Sequence, residues 1–340
     1  MPTYRVVQVP EAGGPFEVVE REVREPGPGH VRVAVEACGI CHSDAGFVSG
    51  GFPGTTFPLV TGHEIAGRVD ALGEGVAERG FAAGDRVAVG WFGGSCGHCP
   101  ACRGGDFIVC ETLKVPGLSY DGGFAESVIV PADALARIPD GLSATDAAPL
   151  GCAGVTTFNG LRRSPARPGD LVAVLGIGGL GHLGVQYAAA MGFETVAVAR
   201  GADKADFAKE LGAHHYVDST ATPTAEALQA LGGARVVLAT VGNSEAISSA
   251  VDGLTRRGEL VVIGAEPQPL GITPLQLIMQ ARVVRGHPSG TSRDVEDTMA
   301  FSALHGIRPM TETVPLADAR AAFDRMLSGR ARFRMVLTTR

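Results

Sequence analysis

At 340 residues the chain exceeds the size at which one hydrophobic core usually stops growing, which predicts two domains. A net charge of -7 with no basic cluster argues against nucleic acid and anionic membranes as partners. No apolar run approaches the ~18 residues of a membrane span and the N-terminal stretch lacks a secretory apolar segment, so a soluble, cytoplasmic protein is expected.

Along the chain, β-rich runs at 4–9 and 31–37 alternate with turns such as Pro26-Gly27-Pro28-Gly29. Further short strands are expected at 65–71, 86–89 and 125–130, so the first 150 residues read as a small β-rich domain. Ser143 is a suitable N-cap for a helical pattern reaching residue 150. From there the rhythm changes to strand–helix alternation. Strands are expected at 171–175, 195–199, 235–240 and 259–264, with a fifth at 282–285, and helices at 182–191, 203–211 and 244–254. Such alternation predicts an α/β fold with a doubly wound parallel sheet. In the tail, Leu316, Ala319, Phe323 and Met326 share one face of a helix over 316–327, and a strand follows at 333–337. This tail is read as rejoining the first domain, which gives 1–150 with 286–340 as one domain and 151–285 as the other. Glycine, at 48 residues, is about twice its usual share without any repeat, which predicts many tight turns rather than disorder.

The strand at 171–175 runs into Gly176-Ile177-Gly178-Gly179-Leu180-Gly181, and a helical pattern follows. Glycines in such a turn let the backbone approach a pyrophosphate, and the first helical N–H groups point at it. The motif alone is weak, but strand and helix stand on the required sides, so dinucleotide binding is expected. The second strand of such a fold usually ends in a carboxylate that binds the adenosine ribose. Here that position is Ala199, followed by Arg200, with Lys204 nearby, and Asp203 is the one acid within reach. Alanine removes the repulsion of a 2′-phosphate, and arginine offers it a planar pair of donors. NADP(H) is therefore expected over NAD(H), with aldehyde reduction as the working direction.

Seven cysteines, an odd number and mostly clustered, fit thiols held for metal in a reducing compartment better than disulfides. Cys96, Cys99, Cys102 and Cys110 follow a C-x2-C-x2-C-x7-C spacing. Four thiolates can close a tetrahedral zinc shell, and iron–sulfur clusters use similar spacing, so both remain open on spacing alone. His98 reads as a surface residue of that lobe. A second constellation lies in ACGICHSD (37–44) and TGHE (61–64). A catalytic zinc keeps three protein ligands and an open position. Cys41 and His63 suit two of these, and the third is Cys38, Cys152 or Glu64. Asp44 is placed to orient His63 through its ring N–H.

The ordered set CGICHSD, GHE, GGSCGHCPAC, LGCAGVTT and VLGIGGLGHLG closely resembles the zinc-dependent medium-chain alcohol dehydrogenases, over essentially the whole chain. The resemblance implies a GroES-like catalytic domain built from both chain ends around a Rossmann domain. It implies two zinc ions per chain: a catalytic one on Cys41, His63 and Cys152, with Glu64 beside it or binding transiently, and a structural one on the four-cysteine lobe. Cys38 then becomes a packing residue. Ser43 matches a hydroxyl that relays the proton, His42 a residue near the cofactor phosphates, and Thr156 one beside the nicotinamide. Many members carry a relay histidine where this chain has Gly46. The implied chemistry is hydride exchange between nicotinamide and an alcohol or aldehyde whose oxygen is polarised by zinc. Trp91, Phe92, Phe52 and Phe57 are candidate walls of an apolar substrate pocket. A homodimer or homotetramer joined through Rossmann sheet edges is also implied, and the apolar run at 275–284 is either that contact or buried core. A zinc-free quinone or enoyl reductase of this fold would lack the ligand motifs, and a non-catalytic zinc and dinucleotide sensor would not need Ser43.

Overall fold

The computed structural model describes residues 1–265 and 267–339. The chain divides into two compact units, Met1–Val155 with Ser289–Arg340, and Thr156–Pro288.

The first unit begins with an antiparallel ribbon of β1 (Thr3–Gln8) and β2 (Glu17–Glu22). It continues with β3 (His30–Gly39), β4 (Glu64–Leu72), β5 (Arg86–Val89), β6 (Ser127–Pro131) and β7 (Ala136–Arg137). In β3, Val31, Val33 and Val35 alternate with more exposed residues and point into the core, as a half-buried antiparallel strand requires. Ser143 caps the helix Ala144–Pro149 by accepting the Asp146 N–H.

The second unit is a six-stranded parallel sheet. Its strands are β8 (Leu171–Leu175), β9 (Glu194–Ala199), β10 (His215–Asp218), β11 (Ala234–Ala239), β12 (Leu254–Val262) and β13 (Val283–Gly286), in the order β10-β9-β8-β11-β12-β13. All of β8 is buried, the mark of a central strand covered on both faces. The order reverses between β8 and β11, and the crevice at such a reversal is where doubly wound sheets take ligands.

The chain then returns to the first unit with the helix Ser292–His305, β14 (Thr311–Pro315) and β15 (Arg334–Thr338). There the sheet runs β14-β15-β3-β4-β5-β7, with β6 on the other part of β3. Leu337 stands opposite Cys38. The tail helix starts as a tighter turn, Leu316–Asp318, and continues over Ala319–Leu327 with Ala319, Phe323 and Met326 buried.

Several elements differ from expectation. β2, β10, β14 and the helices Thr224–Ala230 and Ser292–His305 are additional. The helix expected at 244–254 is alpha-helical only over Ser244–Ser249 and tightens into Ala250–Gly253. β12 starts five residues before the expected 259, because its first part, Leu-Thr-Arg-Arg-Gly, is polar and irregular, with Arg257 left-handed at φ 56°. The run at 275–284 is not buried core: Leu275, Ile278 and Met279 are 67–72% exposed. No helix among the described residues is long and apolar enough to cross a membrane.

Candidate functional site

Cys41 follows the end of β3 and caps the helix His42–Val48. Asp44, on that helix and fully buried, accepts the Cys41 N–H at 2.8 Å through Oδ2. Its Oδ1 accepts the Thr61 hydroxyl at 2.6 Å and the Gly62 N–H at 3.2 Å, and stands 3.4 Å from His63 Nδ1. One carboxylate thus fixes both the Cys41 and the His63 segments. Gly62 takes φ 104°, and a Cβ there would lie 2.6 Å from Phe124 and 2.8 Å from Cys38 Sγ. Cys38 fills the space behind this turn, buried, and serves packing.

Glu64 opens β4 directly across from Gly39, where a Cβ would come within 2.0 Å of Glu64 Oε2. Cys152 sits in a π-helical turn, Leu150–Gly154, a rare geometry that is frequent at functional sites. The turn approaches the end of β5 backbone to backbone: a Cβ on Gly90 would lie 2.0 Å from the Gly151 carbonyl oxygen. These local devices bring ligand atoms of Cys41, His63, Glu64 and Cys152 within 4.8 Å of one another. Two sulfurs, an imidazole and a carboxylate are a donor set suited to zinc. His63 Nε2 and Glu64 Oε2 are buried with no hydrogen-bond partner, which buried polar atoms rarely tolerate without an ion. The residues present therefore fit the metal.

Arg334 of β15 enters the same site, buried, and pairs with Glu64 Oε1. Burial pushes the Glu64 carboxyl up to about 7 against the pull of this guanidinium. The Cys41 thiol is held well below its ordinary value, first by the Cys152 thiol and also by His63. Burial opposes charge on His63, yet Asp44 and Cys41 hold its pKa well above the ordinary value. No sequence motif marks Arg334; its one signal is an arginine set inside the otherwise apolar run Phe333–Leu337, where β15 is buried.

Ser43, half-buried, lies with its hydroxyl 3.8 Å from Cys41 Sγ, while His42 is exposed at the start of the helix. The space beside Gly46 is taken by Phe52, whose ring edge would stand 2.5 Å from a Cβ there. That ring meets Phe47 edge-on at 4.8 Å, and Trp91 lies 5.2 Å from the His63 ring. Of the aromatic candidates, Trp91, Phe52 and Phe57 are half-buried in this cluster, whereas Phe92 is core.

Cys96, Cys99, Cys102 and Cys110 converge separately, their sulfurs 3.6–4.0 Å apart where adjacent pairs touch. Four sulfurs about 2.3 Å from one zinc lie about 3.8 Å apart in a tetrahedron, so the lobe also fits a closed metal site. Backbone N–H groups of Cys96 and Thr112 donate to Cys110 Sγ, and that of Cys99 donates to Cys96 Sγ, which holds these two thiols below their ordinary value, whereas burial pushes the Cys102 thiol up to about 11. All seven cysteines are free of disulfides, and His98 is exposed outside the cluster.

In the second unit, Gly176 takes φ 98° at the end of β8, and a Cβ on Gly181 would lie 1.8 Å from the Gly176 carbonyl oxygen. A Cβ on Gly178 would meet nothing within 4 Å, so this backbone faces open space. Gly179 and Leu180 complete the turn into the helix Gly181–Ala190. Ala199 ends β9, Arg200 is exposed and Lys204 half-buried, and neither cation makes an ion pair among the described residues. Thr156 is 8% exposed in the helix Val155–Arg162.

Comparison with known proteins agrees with this geometry. The alcohol dehydrogenase GroES-like domain family matches residues 27–140, and the zinc-binding dehydrogenase family matches 179–303. The alcohol dehydrogenase notN of an Aspergillus species is 40% identical over 336 residues, covering 99% of this chain and 98% of that protein. Among solved structures, a cinnamyl alcohol dehydrogenase of Sorghum bicolor superposes with a TM-score of 0.89 at 30% identity, over 99% of this chain and 98% of its own. The CAD protein of Helicobacter pylori, complexed with NADP(H), does so with a TM-score of 0.87 at 26% identity, over 99% and 98% of the two chains.

Proposed function

The chain belongs to the zinc-type medium-chain alcohol dehydrogenases, NAD(P)-dependent alcohol oxidoreductases, and from that premise we propose that it interconverts primary alcohols and aldehydes with NADP(H) as its preferred cofactor. The observation that carries the reading is the convergence of Cys41, His63, Glu64 and the half-buried Cys152, with an orphaned imidazole nitrogen among them. Cys41, His63 and Cys152 would hold a catalytic zinc, and Cys96, Cys99, Cys102 and Cys110 a structural one. Bound zinc supplies Lewis-acid polarisation of a substrate oxygen, and the nicotinamide supplies or accepts hydride.

The chain's own residues do the rest. Asp44 holds the two ligand segments in register and orients His63. Ser43 is the hydroxyl that takes up the substrate proton. Glu64, restrained by Arg334, stands ready beside the ligands. Gly46 offers no relay side chain of its own, and Phe52 packs over it, so Ser43 hands its proton on without a second residue there. Trp91, Phe52 and Phe57 give the substrate carbon an apolar surface. Gly176, Gly178, Gly179, Leu180 and Gly181 cradle the pyrophosphate, with Thr156 of the same unit beside the nicotinamide.

Cofactor choice rests on Ala199, Arg200 and Lys204. A charge-assisted hydrogen bond from Arg200 to a 2′-phosphate contributes roughly 1.5–3 kcal/mol, about 10- to 100-fold in affinity. Steady-state kinetics with both cofactors test this: wild type should favour NADPH, and Ala199→Asp should shift preference to NADH by at least about tenfold. A wild type favouring NADH, or one indifferent to the substitution, would overturn the preference. We place the enzyme in the cytoplasm, where thiols stay reduced, as a homodimer or homotetramer.

A further inference from the structure

The turn that carries Arg200 is tied to the neighbouring strand and the residue after it through three backbone groups: the Ala199 carbonyl and the N–H and carbonyl of Gly201. Ala199, the last residue of β9, pairs with Asp218, the last of β10. Its carbonyl accepts the Ser219 N–H at 2.9 Å and the Ser219 hydroxyl at 3.3 Å. On the far side of Arg200, the Gly201 N–H donates to Asp218 Oδ1 at 2.8 Å, and the Gly201 carbonyl accepts the Tyr216 hydroxyl. Gly201 has φ 78°, so the chain turns sharply just after Arg200. Asp218 Oδ1 is itself braced by the Thr220 N–H at 2.9 Å and hydroxyl at 2.7 Å. Arg200 is exposed, as are Ala202 and Asp203 further along the turn, but it is the residue whose two flanking peptide groups are held.

We propose that Asp218 and Tyr216 form a clamp on Gly201 that positions Arg200 for the 2′-phosphate of NADP(H), which makes them positioning residues for cofactor choice. The proposal rests on the cofactor reading given above. A long guanidinium side chain loses much rotamer freedom when it binds, and a fixed backbone lowers the number of conformations it has to give up. Neither Asp218 nor Tyr216 needs to touch the cofactor for this.

The test is a double-mutant cycle read in NADPH and NADH kinetics. Asp218→Ala should raise the KM for NADPH about fivefold, the effect of one net hydrogen bond, with little change in kcat and a smaller change for NADH. Asp218→Asn keeps the Oδ1 acceptor and should restore most of the loss. Tyr216→Phe removes the other arm and should move the same parameter in the same direction. In an Arg200→Ala background, Asp218→Ala should have no further effect on the NADPH KM, because a positioning residue acts only through the group it positions. Equal losses for both cofactors, or a full additional loss in the Arg200→Ala background, would overturn the clamp. So would a wild-type NADPH preference unmoved by Asp218→Ala. A wild type that prefers NADH would overturn the cofactor reading beneath it, a distinguishable failure.

Discussion

Cys38 and Cys152 show how much of the site resides in single residues. In the sequence Cys38, Cys152 and Glu64 all compete for one ligand position, since Cys38 forms a C-x2-C pair with Cys41. Space sets Cys38 apart: it is packed behind Gly62, close to Gly123, and lies outside the converging group, whereas Cys152 and Glu64 both join it. The pairing of Arg334 with Glu64 spans 270 positions, a separation at which no spacing rule operates. That Cys41 and His63 come together, and that the glycine turn joins a strand to a helix, was legible because each rests on a local motif with a physical reason. A residue-level prediction concerns backbone strain outside the site. Arg257 is exposed and left-handed at φ 56°, a conformation costing a non-glycine residue about 1–2 kcal/mol. Arg257→Gly should raise stability by up to about 1 kcal/mol, once the added freedom of the unfolded chain is counted, as read from the urea midpoint. A lowered midpoint would show that this arginine is not strained.

At the scale of elements, strands with apolar runs were legible, and those without them were not. β8 is apolar throughout and appears where expected, whereas β10, His-Tyr-Val-Asp, is short and half-buried, and β2, Glu-Val-Val-Glu-Arg-Glu, sets two adjacent valines among charges. The helix Ser292–His305 carries a readable start: Thr291 accepts the Asp294 N–H while Asp294 accepts the Thr291 N–H. Its weakly apolar face concealed it. The π-helical turn with Cys152 was not legible, because its geometry depends on a close backbone approach from a distant strand end. Gly90 makes that approach possible. Gly90→Ala should push the turn away from β5 and weaken metal retention at Cys152 at least tenfold, as supporting changes around a metal site do, with the four-cysteine lobe still filled. The check is zinc content after dialysis against a chelator. Retention equal to wild type would show that the turn tolerates the displacement.

At the scale of the whole molecule, β13 forms one edge of the parallel sheet and lies beside an exposed apolar surface. Leu275, Ile278 and Met279 are 67%, 70% and 72% exposed, and Val283 47%. An unpaired edge next to such a patch is a template for a second copy of the same sheet. Sedimentation of the wild type at micromolar concentration should give a dimer or tetramer, and Ile278→Glu should shift it toward monomer. A wild-type monomer would remove the assignment. The proposed pair of zinc sites, one catalytic and one structural, is tested most directly by metal content measured together with turnover, in wild type and in Cys152→Ser and Cys99→Ser. The wild type should hold near two zinc ions per chain and turn over alcohols. Cys99→Ser should lose the structural ion and melt at a lower temperature, because such an ion contributes folding energy directly. Cys152→Ser should keep the structural ion and an unchanged melting temperature while losing the catalytic ion, with turnover falling more than about a hundredfold. A Cys152→Ser enzyme that kept two zinc ions and near wild-type turnover would contradict the central assignment.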